Sequence, residues 1–220
     1  MRTVIFDLDG TLAETSGDLL HAANAVFAAE GHGAPLTAAD ARTAMTGGRA
    51  MLRLGSDRLG LGWGDADLTL RYAALVDVYA DAIAVHTRLY PGAAAAVERL
   101  RAGGTAVGIC TNKPAFLAER LMSALGVRAL FASLVGGDTL AVRKPDPAPL
   151  RLALAQAGGP DARGIMVGDT LTDRAAARNA GIPAVLVTFG AEAGAVAGHA
   201  PEALIDHFDD LDAALARLWP

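Results

Sequence analysis

Thr3-Val4-Ile5-Phe6-Asp7-Leu8-Asp9-Gly10-Thr11-Leu12 lies at the very start of the chain, and its two halves read differently. The first four residues form a β-branched and aromatic run, the signature of a buried strand. The next six place two aspartates one residue apart and then a glycine, which reads as a tight loop at the strand's carboxyl end. Beyond Leu12 the sheet pattern stops. For about seventy residues the apolar spacing is mostly helical: Leu19, Ala23, Val26 and Phe27 share one face, and Leu68, Tyr72, Leu75, Val76, Tyr79 and Ile83 repeat at helical intervals. Thr37-Ala38-Ala39-Asp40 has the form of a capping box with Asp in place of Glu.

From Tyr90-Pro91-Gly92 onward the rhythm changes to short apolar strands alternating with helices. Strands are expected at 106–110, 134–136, 165–167, 184–187 and 203–205, and helices at 93–101, 114–125, 147–157 and 173–180. Such alternation implies a parallel sheet covered on both faces. The first strand belongs to that sheet, so the helical block is an insertion after it. The expected architecture is therefore α/β, a Rossmann-like doubly wound core from residues 1–13 and 88–220 with an α-helical cap domain at 14–87. Gly60-Leu61-Gly62-Trp63-Gly64 has no strand before it and reads as a helix-ending loop, not a dinucleotide fingerprint.

Composition narrows the function classes. The 220 residues carry a net charge of -5, with 52% hydrophobic and 20% charged residues. No stretch approaches the roughly 18 to 20 apolar residues needed to span a bilayer, and no basic segment precedes a cleavable apolar one, so neither a membrane anchor nor a signal peptide is expected. The acidic balance argues against a nucleic acid partner. A lone Cys110 excludes an internal disulfide and fits the reducing cytoplasm. Positive charge is almost all arginine; the only two lysines are Lys113 and Lys144. A compact ammonium kept against that background marks both positions as candidates for chemistry.

Ligands of an open parallel sheet bind outside the carboxyl ends of its strands, so the residues just after each strand carry the information. Here they are Asp7 and Asp9, then Thr111-Asn112-Lys113, then Arg143-Lys144-Pro145-Asp146-Pro147, and finally Gly168-Asp169-Thr170-Leu171-Thr172-Asp173. Carboxylates gathered that closely repel unless a cation joins them, and oxygen-only donors point to Mg²⁺. The cation in turn suits a phosphate, whose remaining charge the Thr111 hydroxyl, backbone N–H groups and the Lys144 ammonium can take up. Asp7 is placed to attack phosphorus and Asp9 to serve as the acid and base.

These four ordered motifs resemble those of the haloacid dehalogenase-like phosphohydrolase superfamily, whose members place a smaller cap where the helical insert lies here. Within it, Tyr90-Pro91-Gly92, Cys110-Thr111-Asn112-Lys113-Pro114, Gly136-Gly137-Asp138 and Arg143-Lys144-Pro145-Asp146-Pro147 are most similar to phosphoglycolate phosphatases. The resemblance implies Asp7 as nucleophile, Asp9 as acid/base and Thr111, Asn112 and Lys144 as phosphate binders. It further implies Mg²⁺ on Asp7, the Asp9 carbonyl and Asp169, with Asp173 supporting them from behind. The implied reaction is hydrolysis of a small phosphorylated metabolite, 2-phosphoglycolate, to glycolate and phosphate by a cytoplasmic monomer or homodimer. Many relatives carry Asp-Ser where this chain has Glu14-Thr15. A β-phosphoglucomutase-like sugar phosphomutase or a pyrophosphatase shares every core residue. A phosphoacceptor signalling module also phosphorylates an aspartate beside Mg²⁺, but it is smaller and lacks the insert.

Several residues have a plainer reading. Thr111-Asn112 can cap the helix expected near Pro114, Lys113 reads as a solvated residue at that helix start, and Asp146 reads as the cap of the next helix. Asp173 can be an ordinary N-terminal helix charge. Cys110 reads as a small buried residue, Trp63 as cap packing, Trp219 as a C-terminal plug, and His86 as a surface residue. In the cap, Thr46-Gly47-Gly48-Arg49 joins two expected helices, and Arg49 is the candidate for gripping a substrate carboxylate through two hydrogen bonds. Its plainer alternative is a helix start on a solvated face.

Overall fold

The computed structural model describes residues 1–219. Six parallel strands form the core sheet: β1 (Arg2–Phe6), β4 (Ala106–Cys110), β5 (Ser133–Val135), β6 (Arg163–Gly168), β7 (Ala184–Val187) and β8 (Ala203–Ile205). Their spatial order is β5-β4-β1-β6-β7-β8. The chain winds from β1 outward to one edge, then returns to β1's other side and winds outward to the opposite edge. This is the doubly wound arrangement, and its reversal leaves a crevice between the carboxyl ends of β1 and β6.

Alternation along β1 distributes its side chains to both faces. Ile5 joins Cys110, Val135, Leu150, Leu154, Met166 and Ala177 in one buried cluster beneath α7 (Pro147–Gly158) and α8 (Leu171–Ala180). Phe6 turns the other way and meets Phe131 and Phe208 at ring centroid separations of 6.4 and 6.5 Å. On that side lie α5 (Ala93–Ala102), α6 (Ala115–Ala124) and α9 (Leu211–Leu218). Both faces are covered, which is why the strands are mostly apolar, with polar residues such as Arg2, Thr3, Ser133 and Arg163 at their starts.

Register sets the level at which the loops begin. Phe6 pairs with Ile109 on one side and Val167 on the other, so Asp7, Cys110 and Gly168 stand in one row. The Asp7 N–H continues the ladder to the Val167 carbonyl at 2.8 Å, and the Thr111 N–H to Val135 at 3.0 Å.

Several element boundaries differ from the sequence expectation by a residue or two, and two of them have a plain cause. Strand β6 is longer than 165–167 because Arg163 and Gly164 already pair with Arg2 and Thr3. Helix α8 starts at Leu171, two residues before the expected start, because Thr170 is its N-cap and Asp173 its third residue in a reciprocal capping box.

Backbone contacts divide the chain into two compact units, Met1–Glu14 with Leu89 onward, and Thr15–Arg88. The short strands β2 (Ala13–Glu14) and β3 (Arg88–Leu89), at the two connections, form a separate two-stranded ribbon. Taken by itself, the second unit contains α1 (Ser16–Ala29), α2 (Ala41–Met45), α3 (Gly48–Leu59) and α4 (Asp65–Asp81). Its buried apolar residues include Phe27, Met51, Leu52, Leu68, Leu75 and Tyr79. Trp63 stacks on Phe27 at 4.8 Å with the rings 3° from parallel, and Arg71 lies over the indole at 4.0 Å. Gly60 ends α3 in the left-handed conformation at φ +66°, as a helix-ending glycine should. Buried Asp18 in the first turn of α1 accepts from the N–H groups of His86 and Thr87 and from the Thr87 hydroxyl, tying the start of the unit to its end.

Candidate active site

Four segments deliver side chains to the row of strand ends. Oxygen atoms of Asp7, Asp169 and Asp173 all lie within 4.8 Å of one another, and all three residues are buried. Lys144 sits among them: its Nζ is 2.6 Å from Asp173 Oδ1 and 3.0 Å from Asp7 Oδ1, and its side chain is 1% exposed. Two carboxylates thus pair with the one ammonium, and the third, Asp169, lies beside them.

The surroundings decide which oxygens remain available. Asp173 is spent: besides Lys144 on Oδ1, its Oδ2 accepts from the Thr170 hydroxyl at 2.7 Å and from the N–H groups of Thr170 and Asp169. It fixes Lys144 and the β6–α8 turn. Asp169 takes the Thr11 hydroxyl on Oδ1 at 2.9 Å and the Ala191 N–H on Oδ2 at 2.8 Å, leaving one lone pair per oxygen. Asp7 Oδ1 accepts from the Leu8 N–H at 2.7 Å in addition to facing Lys144. Its Oδ2 accepts no hydrogen bond among the described residues, and the side chain keeps 13% exposure.

Glycines permit this crowding. Gly10 has φ +80°, and a Cβ there would lie 2.3 Å from Asp169 Oδ2; one on Gly190 would lie 2.5 Å from the Gly10 carbonyl. Backbone and carboxylate meet at a distance no larger residue allows.

Burial sets the electrostatics. Desolvation pushes the Asp7 carboxyl up to about 7, with the Lys144 charge pulling it back and Asp173 adding to the rise. Asp169 is driven well above the ordinary carboxylate range by burial, then by the Asp173 and Asp7 charges, against the pull of the Ala191 N–H and the Thr11 hydroxyl. Burial works against the Lys144 ammonium, yet Asp173 and Asp7 more than offset it and hold its pKa above the usual lysine value. Two buried carboxyls displaced upward beside each other, with oxygen-only donors, require either a proton or a cation. A hard divalent ion such as Mg²⁺ fits this donor set. Burial likewise raises the Cys110 thiol to about 12, so this residue is an inert packing group.

Among the remaining sequence candidates, Thr111 is buried at the end of β4, and its hydroxyl accepts from the Lys113 N–H at 3.2 Å. It does not cap α6, which begins at Ala115; the Asp138 carboxylate takes the Ala115 N–H at 2.7 Å instead. Asn112 is exposed and turns its amide to the Lys144 carbonyl at 3.0 Å, bracing the loop that carries the lysine. Asp146 caps α7 as the sequence indicates, accepting from the Ala148 N–H at 2.8 Å with Pro147 at the first turn. In the other unit, Arg49 is the second residue of α3, donating to the Thr69 hydroxyl at 3.0 Å and the Asp65 carbonyl at 3.4 Å.

Lys113 departs most from its sequence reading. It is not a solvated helix residue: its Nζ lies 3.0 and 3.3 Å from the two oxygens of Asp9, and its side chain is 4% exposed. Because α6 starts two residues later, Lys113 stays in the loop and reaches across from β4 to the segment after β1. The signal that pointed to it was the scarcity of lysine. Thr11 and Ala191 donate the hydrogen bonds that hold Asp169; Thr11 lies in the first motif, whereas Ala191 carries no signal in the sequence.

Comparison with known proteins agrees with this architecture. The model of the haloacid dehalogenase-like hydrolase family matches residues 1–181. A phosphoglycolate phosphatase of Mesorhizobium japonicum is 40% identical over 97% of this chain and 94% of its own length, and one from Cereibacter sphaeroides is 38% identical over 99% of each. Among solved structures, that of a predicted phosphoglycolate phosphatase from Haemophilus somnus superposes with a TM-score of 0.85 over 98% of each chain; at 23% identity it attests the fold. With the family model spanning both the insert and the four strand-end motifs, the chain belongs to the haloacid dehalogenase-like hydrolase family.

Proposed function

We propose that this hydrolase is a Mg²⁺-dependent phosphatase acting through an aspartyl-phosphate on Asp7, with 2-phosphoglycolate as substrate. The observation that carries the reading is the convergence of Asp7, Asp169 and Asp173 at the β1–β6 crevice, with the buried Lys144 ammonium paired to Asp7 and Asp173. Full-length similarity to proteins named phosphoglycolate phosphatase supports the substrate.

Asp7, the Asp9 carbonyl and Asp169 are the groups that would hold the cation. When bound, it neutralises charge on the phosphoryl oxygens and draws the carboxylates together without repulsion. Each protein group then has its own part. Lys144 and the Leu8 N–H engage Asp7 Oδ1 and direct the uncommitted Oδ2 at phosphorus. The Asp7 Oδ2–phosphorus bond forms as the ester oxygen leaves, and that oxygen takes its proton from Asp9. In the second half a water oxygen attacks phosphorus, its proton passes to Asp9, and the bond to Asp7 breaks, so acid and base end as they began. Lys113, at 3.0 Å, fixes the direction in which the Asp9 carboxyl points for both transfers. The Thr111 hydroxyl and the Lys144 ammonium take up negative charge on the phosphoryl group.

The test is phosphate release from 2-phosphoglycolate with Mg²⁺ in ¹⁸O-labelled water. Sustained turnover, with label in the released phosphate and none in glycolate, is expected; a phosphomutase would release no stoichiometric phosphate. Wild-type-like turnover by an Asp7→Asn protein, shown by mass to be free of deamidation, refutes the nucleophile.

A further inference from the structure

We propose that Glu192, on the loop after β7, is a positioning residue for Asp169 and thereby sets the affinity of the crevice for its divalent cation. The inference rests on the metal-dependent reading above. Asp169 Oδ2 is held by a single backbone donor, the Ala191 N–H at 2.8 Å. That donor is useful only if the loop stays seated, and the loop is anchored on both sides. Upstream, Phe189 packs between Tyr90 and Phe208 at 4.7 and 5.6 Å. Downstream, Glu192 Oε2 accepts the Leu171 N–H at 3.1 Å, the first backbone donor of α8, and pairs with His199 Nε2 at 2.6 Å.

Between these anchors lie Gly190 and Ala191, pressed against Asp169 and the Gly10 carbonyl so tightly that a Cβ on Gly190 would clash with both. Glu192 touches none of the reacting groups. It bolts the loop to the N-terminus of the helix whose preceding turn carries Asp169, so that donor and carboxylate move as one piece. A carboxylate at a helix N-terminus is favourable in its own right, which makes the bolt stable. Groups that orient a metal ligand from behind commonly alter affinity by 10- to 100-fold when removed.

Isothermal titration of the protein with Mg²⁺ alone tests this directly. Glu192→Ala is expected to raise the Kd for Mg²⁺ by about 10-fold or more. Glu192→Gln, which keeps an oxygen acceptor for the Leu171 N–H, should recover most of the affinity. His199→Ala removes the other contact to the same carboxylate and should raise the Kd by a smaller factor; it covers the case in which Glu192→Ala does not fold. Apparent Mg²⁺ activation should shift in parallel while KM for the phosphate ester stays constant. Wild-type protein that binds no Mg²⁺ overturns the metal-dependent reading itself. Wild-type binding that survives unchanged in folded Glu192→Ala, or in His199→Ala where the first is unfolded, overturns the role of Glu192.

Discussion

Replacing Lys144 by methionine removes a charge but keeps an unbranched chain of similar length, so its cost reports electrostatics more than packing. The ammonium lies 2.6 Å from Asp173 and 3.0 Å from Asp7, and all three side chains are buried. Removing one partner of a buried ion pair costs about 3–5 kcal/mol, because the other is left uncompensated. The pH dependence has a definite sign. The Asp7 carboxyl is raised to about 7 in the folded protein, against an ordinary value of 3.8. Folding therefore favours its protonated form, and its ionisation costs stability that accrues as pH rises from about 4 and is complete above about 7. Lys144 is the group that pulls this carboxyl down, so its loss moves the midpoint higher still. At pH 5.5 Asp7 carries a proton in either folded protein and contributes nothing to the difference. At pH 8 it is ionised in the wild type and less so in the variant. The deficit of Lys144→Met in metal-free buffer should accordingly be about 3–5 kcal/mol at pH 8 and smaller by on the order of 1 kcal/mol at pH 5.5. Urea unfolding with EDTA at the two pH values measures it. A deficit below about 1 kcal/mol at pH 8, or one that grows on acidification, would contradict the account of Lys144 as the compensating charge.

Asp9→Asn should lower kcat by about 10²- to 10⁴-fold while the Kd for Mg²⁺ stays within a few-fold, because the donor proposed there is the backbone carbonyl; collapse of Mg²⁺ affinity with normal kcat per bound metal would reverse its assignment. Lys113→Met should retain the fold and reduce kcat by roughly 10-fold or more, with little recovery in Lys113→Arg, whose planar fork does not reproduce a compact ammonium; kcat and Tm measured together separate loss of orientation from loss of stability. Arg49→Ala should lower kcat/KM for 2-phosphoglycolate by one to two powers of ten, about 1.5–3 kcal/mol, and spare phosphate esters without a carboxylate. No loss on either substrate leaves Arg49 in its contacts with Thr69 and Asp65.

The order of the strand-end motifs was readable because a parallel sheet sends every carboxyl end to one edge, and pairing of Phe6 with both Ile109 and Val167 keeps those ends level. Apolar runs bounded by Asp, Thr-Asn and Gly-Asp therefore sufficed to gather Asp7, Thr111 and Asp169 without knowledge of any side-chain contact. What periodicity cannot supply is reach. The partners Lys113 and Asp9 are 104 residues apart, and whether the ammonium faces water or a carboxylate depends on where α6 begins. A start at Pro114 puts Lys113 on the helix margin. With Asp138 capping Ala115, and Gly137 donating its N–H to the Lys113 carbonyl at 2.8 Å, the lysine is held in the loop that crosses toward β1. The same logic hid Glu192, whose contacts with Leu171 and His199 depend on the fold of a small-residue loop with no periodic pattern. In the Thr170–Asp173 turn the local pattern was visible, but its threonine shifts the helix start by two residues and makes Asp173 a shared acceptor rather than an ordinary helix charge. The strand-end carboxylates are thus encoded by composition and order, whereas the groups that hold them are encoded by loop and cap geometry, where one residue of displacement decides between a solvated side chain and a partner of Asp9.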